Sequence, residues 1–283
     1  EELEEVKKIH AQNNYPLDYG ERMNYRDDPA NDQGITFDEI SIFHYKDRLE
    51  KNDVPLFCWG SWMDSTTANM TISRFLTLDN PQLAVIGDWD HEAHHRANPY
   101  FSHKEKANPY KDEQVREWIR FYDRCLNGDM PEKMLYYYTM GEEKWKKTTT
   151  WPPEGQEIQD WYIRDGHALL PSKPSGSTGN DAFKVDYTHT TGIRNRWYTL
   201  LSTPIYYPNR EEEDRKLLTY TSPPFKQDVE ITGHPIMKVA MSSTHEDGMI
   251  CAYLELIDPD GNITWITDGQ LRLIHRKVFE DPP

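Results

Sequence analysis

The 283-residue sequence predicts a fold class in two parts, α/β followed by all-β. Two short apolar runs, at residues 55–60 and 82–87, flank a helical stretch, and each run is continuous rather than alternating. Continuous apolar strands joined by a crossover helix are typical of a parallel sheet that is covered on both faces. After residue 130 this pattern gives way to short runs separated by turn signals, which indicates a β-sandwich.

Residues 1–50 form a polar first segment, with helical stretches near residues 2–12 and 37–49. Proline and glycine residues separate these stretches, as is typical of loops. The chain opens on glutamates, without an initiator methionine or a signal peptide. We therefore interpret this segment as the middle of a longer polypeptide.

The central segment, residues 51–130, contains the two predicted parallel strands and two helices. Residues 66–78 are the predicted crossover helix between the strands. Residues 111–127 have the most regular helical spacing of apolar side chains in the chain, and Gly128 follows as a C-terminal cap.

Residues 131–283 are predicted to form the β-sandwich. The turn at residues 258–262 combines proline with glycine and asparagine, which is typical of a hairpin. The predicted strands occupy residues 134–139, 161–164, 182–187, 217–221, 236–242, 249–257, 263–267 and 271–276.

The chain carries 32 lysines and arginines against 48 aspartates and glutamates, a formal net charge of −16. Such a field repels nucleic acid and anionic lipid, so neither class of partner is expected. No apolar run approaches the ~20 residues of a membrane span. Cys58, Cys125 and Cys251 are too scattered for a disulfide framework or a zinc knuckle, and they leave the cellular compartment unassigned.

Asp64 and His91 form the first candidate site, because each lies just beyond the end of a predicted buried strand. Parallel sheets place catalytic groups at that edge, and the crossover helix makes the two strands neighbours. A carboxylate that orients a histidine, and a histidine that acts as general base, need this juxtaposition. A structural alternative stays open here, since Asp64 is also well placed to cap the following helix.

A nucleophilic serine for this pair is missing from the chain. The elbow that presents such a serine has the pattern G-x-S-x-G, and no serine here has it. Ser61 has no glycine at either required position, and Gly176 stands one position off beside Ser177. We predict that Ser61 is a loop residue.

The string His91-Glu92-Ala93-His94-His95 is the second candidate, because it matches H-E-x-x-H. On a helix this motif puts two histidines on one face for zinc, with the glutamate as base. The context disfavours a helix, since the string follows a strand within four residues and Pro99 limits its length. We expect His94 and His95 to be loop residues near the mouth of a pocket, and we expect no metal there.

Several segments in collinear order resemble the CocE/NonD serine hydrolases, which are related to X-Pro dipeptidyl-peptidase. VPLFCWGSWMD (residues 54–64) resembles the family segment P-V-L-x-x-G-G-W-x-D, and LAVIGDWDH (residues 83–91) resembles L-x-I-G-P-W-x-H-G. Residues 121–128 are similar to F-F-D-x-x-L-K-G, and residues 138–153 to V-M-G-x-x-x-W followed by W-P-P. The strings ITGHP, DPDG and TDG near the end are similar to the family's C-terminal jelly-roll domain.

This resemblance implies the C-terminal part of an α/β-hydrolase domain over residues 51–130. It also implies an incomplete jelly-roll β-sandwich over residues 131–283 and a remnant of a helical cap over residues 1–50. The implied activity is cleavage of ester or amide bonds by a Ser-Asp-His triad. In that triad Asp64 is the acid and His91 the base, while the serine lies outside this chain, so the chain alone is expected to be inactive.

No cofactor is implied. The implied partners are a small-molecule or peptide acyl substrate and the complementary part of the same enzyme, and a homo-oligomer is compatible with the sequence. Two other functions stay open: a zinc-dependent hydrolase that uses the string at residues 91–95, and a non-catalytic jelly roll that binds carbohydrate or a protein.

Two positions depart from the family segments. Asp88 stands where the family has a proline before its tryptophan, and Glu92 stands where it has a glycine after its histidine. Both carboxylates are expected to add negative charge beside His91 and to favour a cationic edge on the substrate.

Overall fold

The structure, a computed structural model, describes residues 2–13, 16–101, 105–176, 179–198 and 205–277. The chain divides into two compact units, Glu1–Val54 and Pro55–Pro282. Within the described residues, no helix is both long enough and apolar enough to cross a bilayer.

The first unit is helical, as predicted, and its helices are short. A capping box starts the third helix, because Thr36 Oγ1 accepts a hydrogen bond from Glu39 N at 3.2 Å and Glu39 Oε2 accepts one from Thr36 N at 2.9 Å. Its elements are α1 (Glu2–His10), α2 (Pro16–Gly20), α3 (Phe37–Ile40), a 3-10 helix (Ile42–Tyr45) and α4 (Lys46–Lys51).

The second unit opens with the predicted strand–helix–strand, which confirms the parallel arrangement. Its elements are β1 (Leu56–Ser61), α5 (Thr67–Thr77) and β2 (Gln82–Gly87). The two strands are parallel and in register, with Leu56 opposite Gln82 and Ser61 opposite Gly87. Both strands therefore end at the same level of the sheet.

The sheet continues beyond the predicted change of architecture near residue 130. After α6 (Lys111–Leu126), β3 (Met134–Thr139) pairs parallel with β2, and β4 (Lys144–Thr148) pairs antiparallel with β3, so the strand order is β1-β2-β3-β4. Residues 134–139 are predicted to belong to the β-sandwich, and this prediction is wrong because β3 pairs with β2. The strand joins the first sheet because its fully buried Leu135 and its buried Tyr137 belong to the same core as α5.

Side chains alternate between the two faces of the sheet. Ala84 and Ile86 of β2 face the α5 side, in a core with Ile72 and Phe75 of that helix. On the opposite face, Val85 belongs to a second core formed by Val85, Trp89, Ala93 and Ala107, with Phe57, Trp59 and Trp145 packed against it. This second core attaches the segment that follows β2 to the sheet.

The described residues in the rest of the second unit form two antiparallel strand pairs. The hairpin predicted at residues 258–262 is confirmed, since Asp258 Oδ1 accepts hydrogen bonds from Asp260 N at 2.9 Å and Asn262 N at 2.8 Å. The elements are β5 (Tyr162–Arg164), a 3-10 helix (Asp165–His167), β6 (Ala168–Leu170), α7 (Glu211–Asp214), β7 (Met249–Ile257), β8 (Ile263–Arg272) and a 3-10 helix (Leu273–His275).

Four of the predicted strands are not separate strands in the structure. One of them, residues 271–276, consists of the end of β8 and the 3-10 helix Leu273–His275. Residues 182–187 and 236–242 form neither helix nor strand, and residues 217–221 make only a parallel bridge from Thr221 to Ala168. The prediction was wrong there because an apolar run becomes a strand only where a neighbour pairs with its backbone groups. The described residues thus form two hairpins of the predicted β-sandwich and not a closed pair of sheets.

Gly87, the last residue of β2, is required by a close aromatic contact. A Cβ atom at this position would overlap the ring of Trp89, which stacks on Trp59 with ring centroids 4.9 Å apart. Gly269 in β8 offers a matched comparison, since a Cβ atom there would meet open space.

We expect Gly87→Ala to lower the free energy of unfolding by about 1–3 kcal/mol, because the Trp89 ring must move out of a packed core. Gly269→Ala should stay within about 0.5 kcal/mol of the parent chain. Urea unfolding followed by tryptophan fluorescence measures both. Equal stabilities of the two variants would contradict the packing described for Trp89.

Candidate functional site

The loops that follow β1 and β2 bring Asp64 and His91 together. Asp64 lies three residues beyond Ser61, and His91 lies four residues beyond Gly87, at the same edge of the sheet. His91 Nδ1 lies 3.0 Å from Oδ2 and 3.1 Å from Oδ1 of Asp64. The predicted hydrogen bond between these side chains is therefore confirmed, and their catalytic role stays a prediction.

The pair has a buried member and an accessible member. The Asp64 side chain is 7% exposed, and that of His91 is 42% exposed. Because an ionised carboxylate can only accept, Nδ1 carries the proton of a neutral imidazole, and Nε2 is left as an acceptor. Within the described residues, Nε2 makes no hydrogen bond. The arrangement can therefore take a proton from a group that approaches His91 from solvent.

The alternative role of Asp64 as a helix cap is not what the structure has. The N-cap position of α5 is Thr66, and its side chain makes no capping hydrogen bond. Asp64 instead contributes its backbone carbonyl, which accepts hydrogen bonds from Thr67 N at 3.0 Å and Thr67 Oγ1 at 2.9 Å. Its carboxylate is directed to His91.

Ser61 ties the two loops together. It is the last residue of β1 and is buried, so the prediction of a loop residue was wrong. Its Oγ donates a hydrogen bond to the carbonyl oxygen of Trp89 at 2.6 Å and accepts one from Met63 N at 3.1 Å. The hydroxyl thus links the segment before Asp64 to the segment before His91. Ser177 lies outside the described residues.

Each of the two loops holds one non-glycine residue in the left-handed region. Ser65 follows Asp64 and has a φ of 46°, and Ala93 lies two residues after His91 with a φ of 52°. Such backbone conformations are unfavourable for residues with a side chain, and they persist only where the surroundings impose them. The pair is therefore held by two constrained turns.

The H-E-x-x-H string forms a turn and not a helix. Asp90 is buried, and its Oδ1 accepts hydrogen bonds from the backbone of His94 at 2.8 Å and of His95 at 3.3 Å. His95 Nδ1 lies 2.9 Å from Asp90 Oδ2, and His94 Nδ1 lies 3.3 Å from Glu92 Oε2. The histidines of the string therefore have different carboxylate partners. Among the described residues, no three metal-ligating side chains converge on one point.

A cleft beside this turn is lined by His94 and His95, as expected for residues near a pocket. Lys106, Tyr110 and Lys111 form the rest of its lining.

A buried network joins the segment after β2 to the β3–β4 turn. Arg96 donates to Asp88 Oδ2 from Nε at 2.9 Å and from Nη2 at 2.7 Å, and Nη2 also lies 2.6 Å from Glu143 Oε2. Asn98 Nδ2 donates to Asp88 Oδ2 at 3.1 Å and to Glu143 Oε1 at 3.0 Å. Burial raises the pKa of Asp88, and the guanidinium opposes that shift.

This network corrects the expected charge beside His91. The Asp88 carboxylate is fully buried and paired with Arg96, which also pairs with Glu143, so the Asp88 charge lies inside this network and not on an open surface beside His91. Glu92 is 48% exposed and lies against His94. The identities of these two residues are visible in the sequence, whereas their surroundings depend on the fold.

A second titratable cluster lies at the bulge in β7, where the register shifts between Leu254 and Glu255. Arg210 Nε donates to Glu255 Oε1 at 2.8 Å, and Arg210 Nη2 lies 3.8 Å from Asp214 Oδ1. The pKa of Glu255 is raised to about 7, first by burial and also by the neighbouring Asp214 carboxyl, whereas Arg210 opposes the shift.

Sequence reasoning missed the residues that hold the loops. Asp90 had a usable signal, since an aspartate after a strand often caps a turn through its side chain. Arg96 and Glu143 had none, because they are separated by 47 residues.

Residues 127–282 match the protein family described as the X-Pro dipeptidyl-peptidase C-terminal non-catalytic domain. The matched range begins after the two loops described above, so Asp64 and His91 lie before it.

Relatives match over most of the chain. Two mycobacterial proteins, from Mycobacterium bovis and Mycobacterium tuberculosis, are each named as a candidate serine esterase and are 35% identical to the chain over 251 residues. These matches cover 86% of this chain and 39% of each relative. The cocaine esterase of a Rhodococcus species is 24% identical over 277 residues, which is 90% of this chain and 46% of that enzyme. The chain thus spans less than half the length of these relatives.

We expect Ser61→Ala to lower the free energy of unfolding by about 1–3 kcal/mol, because it leaves the Trp89 carbonyl and the Met63 N–H without their buried partner. Ser242→Ala, at an exposed serine, should change it by less than about 0.5 kcal/mol. Chemical denaturation followed by circular dichroism compares the two. An unchanged stability of Ser61→Ala would contradict the linking role.

The raised pKa of Glu255 predicts a stability that depends on pH. An acid with a raised pKa in the folded state contributes stability that is fully present below its ordinary value of 4.5 and is lost as pH rises through about 7. Glu255→Gln should therefore remove part of the decline in unfolding free energy between those two values. Glu246→Gln, at an exposed glutamate, serves as control, and a decline that is the same in both variants would refute the assignment.

Proposed function

The chain belongs to the CocE/NonD hydrolase family, and from that premise we propose that it supplies the acid and the base of a serine hydrolase that cleaves ester or amide bonds. The observation that carries the proposal is the hydrogen bond between His91 Nδ1 and the Asp64 carboxylate, which leaves Nε2 without a partner among the described residues. This is the arrangement that a general base needs.

In the proposed mechanism, Nε2 of His91 removes the proton from a serine hydroxyl as that oxygen attacks the substrate carbonyl. Asp64 keeps the proton on Nδ1, fixes the orientation of the ring and stabilises the imidazolium that forms. His91 then gives the proton to the leaving group. In the second half of the cycle it activates a water molecule that releases the acyl group and regenerates the serine.

The nucleophilic serine and the oxyanion donors are proposed to lie in polypeptide outside these 283 residues. Two observations support this part of the proposal. No serine in the sequence stands in a G-x-S-x-G elbow, and the chain spans only 39–46% of its relatives. The parallel strands β1 and β2, with an acid after one and a histidine after the next, fit the C-terminal part of an α/β-hydrolase sheet.

The part of the chain from residue 127 onward is proposed to be accessory to the reaction. Its match to a non-catalytic domain supports this role. Contacts within the second unit support it too, since buried Met63 and Ala97 share a core with Ile205 and Trp265. This core lets the later segments support the two loops.

Because the nucleophilic serine is proposed to lie elsewhere, residues 1–283 by themselves should be inert toward p-nitrophenyl esters.

In the complete natural polypeptide, we expect His91→Ala and Asp64→Asn each to lower kcat for a p-nitrophenyl ester by about 10³-fold or more. Glu92→Gln should retain activity, because the Glu92 side chain is exposed and lies against His94 rather than His91. Steady-state kinetics with and without a chelator measures all three.

The same assay separates this proposal from zinc chemistry on the H-E-x-x-H string. Loss of activity in Glu92→Gln together with sensitivity to the chelator would overturn the serine mechanism. So would full activity of His91→Ala.

A further inference from the structure

The segment that carries His91 is closed at its base by a buried arginine. We propose that Arg96 is a positioning residue for His91, which it holds against Asp64 by clamping residues 88–98, the His91 loop, to the β3–β4 turn. This inference rests on the proposed function of the Asp64–His91 pair and assigns a role to a residue that does not touch the reacting atoms.

The first half of the clamp joins the two ends of the His91 loop. Arg96 contacts Asp88 through Nε and Nη2, at 2.9 and 2.7 Å, so one guanidinium makes two hydrogen bonds to a single carboxylate oxygen. Beside this contact, Ala97 N donates to the backbone oxygen of Asp88 at 2.6 Å. The loop therefore leaves and re-enters the sheet edge at one fixed place.

The second half of the clamp joins the His91 loop to the β3–β4 turn. Arg96 Nη2 lies 2.6 Å from Glu143 Oε2 and 2.9 Å from the hydroxyl of Tyr138, which itself donates to Glu143 Oε2 at 2.8 Å. Glu143 is held in turn by Gly141 N, which donates to its Oε1 at 2.7 Å. Since β3 pairs directly with β2, the clamp attaches the His91 loop to the same sheet from which the loop emerges.

Arginine is the side chain that suits this position. Its side chain is 10% exposed, and its guanidinium carbon lies 3.7 Å from the ring centroid of Phe101. A guanidinium presents several donors in one plane and can also stack on an aromatic ring, whereas an ammonium group is a single compact charge. Lysine at this position would keep the charge and lose the simultaneous contacts to Asp88 and Glu143.

His91 itself depends on this clamp because the imidazole is poorly held by other groups. Its side chain is 42% exposed, and its one hydrogen bond within the described residues goes to Asp64. A displacement of the loop by a fraction of the 3.0 Å hydrogen-bond distance would therefore separate the pair. The clamp fixes where the ring is, and Asp64 fixes how it is oriented.

The test compares Arg96→Lys with Arg210→Lys in the 283-residue chain. Arg210 is a matched control, since it is also buried and ion-paired, with Glu255 at 2.8 Å, and it lies outside the His91 loop. With the histidines labelled by ¹⁵N, NMR detects the His91 Nδ1 proton, which a hydrogen bond to a carboxylate shifts far downfield and protects from exchange with water. His91→Gln assigns the signal.

We expect the downfield signal in the parent chain and in Arg210→Lys, and its loss in Arg96→Lys, at similar thermal stabilities of the two variants. If Arg96→Lys keeps the signal with an unchanged exchange rate, the clamp is refuted while the proposed function stands. If the parent chain has no such signal, the Asp64–His91 pair does not form, and both fail.

If Arg96→Lys does not fold, Glu143→Gln tests the clamp instead. This substitution removes the negative charge that faces Arg96 and keeps the shape of the side chain. The signal should then exchange faster than in the parent chain, and an unchanged rate would overturn the proposal. In the complete natural polypeptide, the folded Arg96 or Glu143 variant should lower kcat by up to about 10²-fold with little change in KM. A change confined to KM would contradict a positioning role.

Discussion

The parallel, in-register pairing of β1 with β2 is the constraint on which the site depends. Because Ser61 lies opposite Gly87, the chain leaves both strands at the same level, and the two following loops share one edge of the sheet. A shift of the register by one residue would move every side chain of one strand to the other face. It would also move Asp64 and His91 apart along the strand direction. The 3.0 Å hydrogen bond between His91 and Asp64 therefore depends first on the geometry of the sheet and only then on the sequence of the two loops.

The loops at this edge are stabilised by hydrogen bonds between buried polar side chains and their neighbours. Asp88, Asp90, Ser61 and Arg96 are all buried, and each has a partner in the segment after β2 or in the β3–β4 turn. Buried polar groups without partners are strongly unfavourable, so such a network permits few alternative loop conformations. The same principle explains the two left-handed residues, which the surrounding contacts hold in place. The exposed His91 is thus carried by a loop whose base is held by buried hydrogen bonds.

Local pattern was enough to predict the elements whose hydrogen bonds are local or whose apolar runs are continuous. The bounds of β2 agree with the prediction, and those of β1 and α6 are within one residue or so, because buried strands and an amphipathic helix have direct periodic signatures. Parallel strands place the residues that follow them at one edge of the sheet, and this was enough to predict that Asp64 lies beside His91. The strand predicted at residues 236–242 is absent, because an alternating pattern does not show whether a second strand is available to pair with it. The clamp at Arg96 could not be predicted from the sequence, because Glu143 comes from a turn 47 residues further along the chain.

We propose that the Asp64–His91 pair activates a serine that lies outside these 283 residues. Covalent labelling of the complete natural polypeptide with a fluorophosphonate probe, followed by mapping of the modified peptide by mass spectrometry, tests it most directly. We expect one labelled serine outside these 283 residues, and no labelling in His91→Ala. Labelling of Ser61 or another serine of this chain, or labelling that persists in His91→Ala, would contradict it.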